Sequence, residues 1–208
     1  MKFRLPFLLC CSIFSGCSTL GDNPIFTTTA QLAKREFGSS SGKSGRLAFD
    51  PHYHYLQLIV NGQAVYLALG NVDHGTEVWY SAQGEVLRIR NGRMAGIMGT
   101  STEWRNVVLP EFPSWSEIER LKVYRWARRM DIMPGYKYGM LDQLTLHAIA
   151  PVASSNLHEI DPSRLAWFEE SSNHLPPSRY AVDLEKNLVV YAETCLSQDF
   201  CFSWQRLR

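Results

Sequence analysis

The sequence predicts an all-β fold, mainly antiparallel, with about ten strands and one or two short helices, and three observations carry that prediction. From residue 53 onward the apolar period is two, with Tyr55, Gln57 and Ile59 alternating with Leu56, Leu58 and Val60. Asn61-Gly62 and Asn91-Gly92 each interrupt such a run. Both residue types tolerate the positive φ of a tight hairpin turn, so each pair marks a chain reversal. Further along, Tyr124, Trp126, Arg128, Met130 and Ile132 alternate with Arg125, Ala127, Arg129 and Asp131, and Pro134-Gly135 then leads into a return strand.

The chain begins with a segment of another kind. Lys2 and Arg4 supply a positive start, residues 5–14 an apolar run, and Ser15-Gly16 a small-residue junction before Cys17. An apolar run of about ten residues, with Pro6 inside it, is half of what a bilayer-spanning helix requires. Phe14-Ser15-Gly16-Cys17 resembles the lipobox of bacterial lipoproteins, in which the cysteine is acylated and the preceding peptide removed. The expected layout is a signal peptide over 1–16, a lipidated tether over 17–23 and a single β-rich periplasmic domain over 24–208. In Gram-negative lipoproteins an aspartate after the cysteine favours the inner membrane, and here Ser18 and Thr19 follow it, which points to the outer membrane facing the periplasm. Acyl chains together exceed the two signals that stable anchoring needs.

Removal of residues 1–16 from the 208 leaves 192, enough for one substantial core. The formal charge of +1 counts Lys2 and Arg4, so the mature chain is close to neutral and its charges are interspersed. That distribution argues against a nucleic-acid partner.

In order, residues 24–37 carry Leu32, Ala33 and Phe37 at helical spacing, and the Ser- and Gly-rich stretch from 39 to 45 reads as a loop. Tyr55 to Val60 and Gln63 to Leu69 form a first hairpin. Val78 to Ser81, Glu85 to Arg90 and Arg93 to Met98 follow around Gln83-Gly84 and Asn91-Gly92. Ser114-Trp115-Ser116-Glu117 has the pattern of a capping box, so Phe112 to Leu121 is read as a helical turn or two, or as a loop. A long hairpin spans Tyr124 to Ile149. Leu165 to Phe168, Tyr180 to Leu184, Leu188 to Ala192 and Phe200 to Leu207 complete the set.

Leu67-Ala68-Leu69-Gly70, Glu77 to Gly84 and Leu87 to Arg93 resemble a characteristic stretch of the YjbF/GfcB family of exopolysaccharide and group 4 capsule lipoproteins. Met130 to Gly139 resembles a second stretch of that family. The resemblance spans roughly residues 50 to 145 and implies an outer-membrane lipoprotein with a meander barrel, half-barrel or half-sandwich. It implies a role in secretion of surface polysaccharide, and no catalytic residues. The expected partners are the membrane through the anchor and either envelope proteins of polysaccharide export or the polysaccharide itself.

Candidate chemistry is sparse. Asp50, His52 and His54 share a spacing of two and would lie on one face of an extended segment, but Pro51 and Tyr53 interrupt them, and they are read as polar residues leading into a strand. Glu169 and Glu170 are adjacent, which on a strand sends them to opposite faces and makes them a poor acid/base pair. No Gly-x-Ser-x-Gly elbow occurs. The expectation is therefore no enzyme, no cofactor and no metal.

Trp79 and Trp126 are weighed both as core fillers and as stacking platforms for a sugar ring, with Arg90 and Arg93 beside them as candidate contacts to a glycan or partner. Arg125, Arg128 and Arg129 are read likewise as a groove lining or a solvated face. In an oxidising compartment Cys195 and Cys201 can join in a disulfide closing a small loop, a stabilisation of about 2 kcal/mol; separate buried thiols are the alternative. Two further functional readings remain beside the accessory role: a periplasmic glycan-modifying enzyme, and a structural envelope lipoprotein with no part in polysaccharide export.

Overall fold

A computed structural model describes residues 49–152 and 156–207. The leader, Cys17, the tether and the expected helix over 24–37 lie outside the described residues.

Twelve strands close into one antiparallel barrel: β1 Tyr55–Val60, β2 Gln63–Asp73, β3 Thr76–Ser81, β4 Val86–Arg90, β5 Arg93–Met98 and β6 Glu103–Val108, then β7 Val123–Met133, β8 Lys137–Ile149, β9 Ala166–Ser172, β10 Ser178–Asp183, β11 Leu188–Cys195 and β12 Cys201–Arg206. Each strand pairs with its neighbour in sequence, and β12 returns to β1 with Leu58 opposite Trp204. The half-barrel and half-sandwich alternatives fall away, because the sheet closes on itself and every strand has a neighbour on both sides over at least part of its length. The count exceeds ten by strands such as β6, whose only buried side chain is Trp104 and which therefore shows no alternation in sequence.

Period two decides what lies inside. Leu56, Leu58, Leu67, Trp79, Leu87, Ile89, Trp104, Leu146, Phe168 and Trp204 belong to one continuous buried cluster. The outer wall carries Arg88, Arg105, Arg125 and Gln143 in water. An apolar interior with a charged exterior is the reverse of a bilayer-spanning barrel.

In a meander the turns alternate between ends. The lower end holds Gly75, Gly92, the 109–122 connection, the 150–165 strap and the 184–187 turn; the upper end holds the others, including the β7–β8 turn. Asn91 and Gly92 both have positive φ, and a Cβ on Gly92 would collide with Val189, so glycine is required there for conformation and for space.

Within the lower connection, α1 spans Trp115–Leu121. The Ser114 hydroxyl accepts the Glu117 N–H while the Glu117 carboxylate accepts the Ser114 N–H, so the capping box selects helix over loop. The Trp115 N–H donates to Asn187 Oδ1 at 2.8 Å, and its ring meets Phe168 and Tyr180 at 5.0 and 5.4 Å. The helix thereby closes the lower mouth. Outside the wall, the strap covers Trp167, Ala181 and Tyr191 with Ile149, Val152, Leu157 and Leu165. At the upper end Cys195 and Cys201 oppose one another across β11 and β12 and are joined by a disulfide.

Candidate functional site

The titratable groups that converge most closely do so inside the barrel. Arg128 of β7 donates to Asp142 of β8 at 2.7 Å, and the Ser172 hydroxyl donates to the other Asp142 oxygen at 2.7 Å. Glu170 of β9 lies 3.7 Å from Arg128 and 3.9 Å from Arg93, and accepts the Tyr180 hydroxyl at 3.1 Å. Two cations thus face two anions. Burial pushes the Glu170 carboxyl above the usual carboxylate range, with the Arg128 and Arg93 charges pulling it partly back. Burial likewise raises the Tyr180 phenol.

Arg93 is 1% exposed, and none of its three side-chain nitrogens has a hydrogen-bond partner among the described residues. Its guanidinium instead lies 3.8 Å from the Phe112 ring centroid and 4.2 Å from that of Trp115. Those π faces replace part of the lost hydration. Because Phe112 and Trp115 belong to the connection that closes the lower mouth, Arg93 fastens that plug to the wall.

This placement decides between core and surface for three of the weighed side chains, and for both tryptophans it takes the core reading. Trp79 and Trp126 face the interior: the Trp79 N–H donates to Glu77 at 3.1 Å, and Trp126 packs edge-on against Phe112. With Arg93 they are sealed by packing and are not available to a glycan or partner at the surface. Arg128 is buried as well, whereas Arg90 is half-buried opposite Arg93 and Arg125 and Arg129 are exposed. Asp50 accepts the His52 N–H at 2.9 Å as a turn residue. Among the described residues no three His, Cys, Asp or Glu side chains gather to hold a metal. Glu169 and Glu170 do diverge, Glu169 to Arg179 on the outer wall and Glu170 into the cluster.

Of the features that face solvent, two are large enough to bear on function. A groove of about 720 Å³ near the lower end is lined by Gln57, Tyr66, His158, Glu159, Gln205 and Arg206, with other residues. Its amides are engaged in holding the fold: Gln57 donates to the Tyr66 hydroxyl at 3.3 Å, and Gln205 exchanges hydrogen bonds of 2.8 and 2.7 Å with the His158 backbone.

The other feature is a ribbon. At its upper end β8 is exposed from Lys137 to Leu141, and its pairing with β9 begins only at Leu144. The β8 side of the β7–β8 hairpin therefore stands clear of β9, while β7 stays paired with β6 up to Met133, and the hairpin tip carries Tyr136, Tyr138 and Leu141 at 74, 64 and 59% exposure and Met140 at 41%. In sequence this stretch reads as the apolar face of a strand. What betrays it is Met140-Leu141, apolar on successive residues where a half-buried strand would alternate, just after Tyr136 and Tyr138.

No protein-family model matches the chain, and no curated protein matches its sequence. Among solved structures, the chain is similar to the crystal structure of the hypothetical lipoprotein YmcC from Escherichia coli (K12). The TM-score is 0.59 at 17% identity, with 90% of this chain and 97% of that chain covered. At that identity the likeness shows a shared fold.

Proposed function

We propose that this chain is a lipid-anchored, non-catalytic accessory protein of the outer membrane, facing the periplasm and serving the secretion or assembly of an exopolysaccharide or capsule. It acts by touching export proteins or the polymer. The observation that carries this reading is the division of its side chains: the converging acid, base and cation groups are ion-paired inside a plugged barrel, while large apolar side chains are presented on a projecting ribbon. Contact needs the second arrangement and makes no use of the first.

The lipobox-like Phe14 to Cys17 and the two family-like segments support the anchored and polysaccharide parts, and the fold shared with a hypothetical lipoprotein is in keeping with them. The test is deletion of the gene with measurement of secreted polysaccharide, followed by complementation with the intact chain and with Cys17→Ala. A fall in polymer, restored by the intact chain and not by the variant, is expected. Unchanged polymer in the deletion strain removes the reading, and full rescue by Cys17→Ala removes the anchored part of it.

A further inference from the structure

We propose that the β7–β8 ribbon is a membrane contact in its own right, seating the upper end of the barrel in the headgroup region of an anionic bilayer. It refines the contact role proposed above by giving the ribbon's apolar side chains to the membrane on which export proteins and polymer meet the chain, and the vesicle experiment below reads that lipid contact apart from any polysaccharide role.

The ribbon has the composition of an interfacial anchor. Tyr136 and Tyr138 are amphipathic rings with an apolar body and a polar tip, and Met140 and Leu141 add apolar surface beside them. Val108 lies in the same outward row as Arg129 and Leu141 and is 51% exposed, so the patch continues onto the wall. Lys137 and Arg129 are exposed, and among the described residues neither makes an ion pair. Asp131 accepts from Gly139 at 2.8 Å and from Asn106 at 2.7 Å, keeps its charge and offsets Arg129, and Glu103 is paired with Arg105. Lys137 at the tip is left without a facing carboxylate among the described residues, which matches an anionic lipid surface.

Geometry disfavours the other way a projecting hairpin is used, which is to accept an added strand. Gly139 has a φ of +61° and turns its N–H back to Asp131, and Lys137 stands beside it on the open side of β8. A bulge and a lysine are the devices that blunt a strand edge. Docking is left to the side chains.

Anchoring does not already decide which end meets the membrane. The described chain enters at the lower end, at Phe49, opposite the ribbon. Fully extended, the links between Cys17 and Phe49 reach up to about 110 Å, whereas the 11 residues of β7 span about 37 Å. Either end can therefore face the bilayer, and the ribbon selects the upper one.

The test places an environment-sensitive fluorophore on Tyr138→Cys, or on His74→Cys at the lower end, in the full chain with Cys10, Cys11 and Cys17 replaced by alanine. Cys195 and Cys201 stay bridged, so the new thiol reacts alone. The labelled chains are mixed with vesicles of brominated phosphatidylcholine containing phosphatidylglycerol. Because the apolar leader remains attached, the readout is the surroundings of the label rather than vesicle association. Blue-shifted, quenched emission at 138 and not at 74 is expected.

Adding Tyr136→Ser with Leu141→Ser raises the lipid concentration for half-quenching at least about tenfold. Lys137→Glu raises it about tenfold on vesicles with phosphatidylglycerol and leaves it unchanged on phosphatidylcholine alone. Quenching at 74 instead of 138, or an equal signal in the serine variant, overturns the proposal. So does a blue shift at 138 that appears without vesicles and grows with protein concentration, which would assign the ribbon to a second copy of the chain.

Discussion

Replacing Arg128 by methionine isolates the energetics of the sealed cluster. The methionine keeps most of the volume against Trp104, whose ring centroid lies 4.3 Å from the guanidinium carbon, so little of the effect is a cavity. What is lost is the 2.7 Å bond to Asp142 and the nearer of two cations facing Glu170. Asp142 keeps the Ser172 hydroxyl and Glu170 keeps the Tyr180 hydroxyl, yet Glu170 is then left with Arg93 at 3.9 Å and buried Asp142 loses its paired cation. Breaking a buried pair on one side costs about 3–5 kcal/mol, whereas replacing both partners by apolar groups is near neutral or stabilising. Arg128→Met is therefore expected to lower unfolding free energy by about 3–5 kcal/mol. Combining it with Asp142→Leu should recover at least about 2 kcal/mol of that loss. Guanidinium unfolding followed by tryptophan fluorescence reads both. A single variant that loses under about 1 kcal/mol, or a double variant whose loss equals the sum of the singles, would refute the coupling.

Other consequences follow from particular residues. Because burial raises the folded Glu170 carboxyl above its unfolded value of about 4.3, the native state holds an extra proton between the two values. Stability should fall as pH rises through that window, and Glu170→Gln should remove this component of the slope, read from unfolding midpoints across pH. Gly92→Ala meets both a positive φ and the Val189 side chain, so a loss of about 1–3 kcal/mol is expected in thermal melts. Ser114→Ala removes one half of the capping box and should cost about 1 kcal/mol, with Ser114→Asp close to neutral. Reduction of the Cys195–Cys201 bridge should lower stability by about 2 kcal/mol, measured as a shifted denaturant midpoint with and without reductant.

Local rules are what made much of the barrel legible. Asn61-Gly62 and Asn91-Gly92 act through their own backbone conformations, so they announce their hairpins without reference to anything distant. Period two likewise announced the strands that carry Leu56 and Leu58 and, further on, Trp126 and Met130. β6 escaped because a strand with one buried residue shows no period.

The charged interior escaped for a different reason. Arg93, Arg128, Asp142 and Glu170 come from four strands, and each looks like an ordinary solvated residue until closure brings them together. Arginine on an alternating strand was read as surface, and Phe112 and Trp115, folding back from the plug, together with Glu170 make Arg93 tolerable inside. The ribbon was half visible, since its strands were read and the stretch of β8 clear of β9 was not. That stretch depends on where β9 stops pairing at Ser172, which residues 136–141 do not encode.

In the proposed role this molecule works through its surface, and its buried ionisable groups only hold it together. Polymer secreted by the deletion strain, complemented in parallel with Glu170→Gln and with Tyr136→Ser/Tyr138→Ser/Leu141→Ser at equal protein levels, tests this most directly. Restoration by the interior variant and failure of the ribbon variant is the predicted result. A folded Glu170→Gln chain as inactive as the deletion, or full restoration by the ribbon variant, would contradict it.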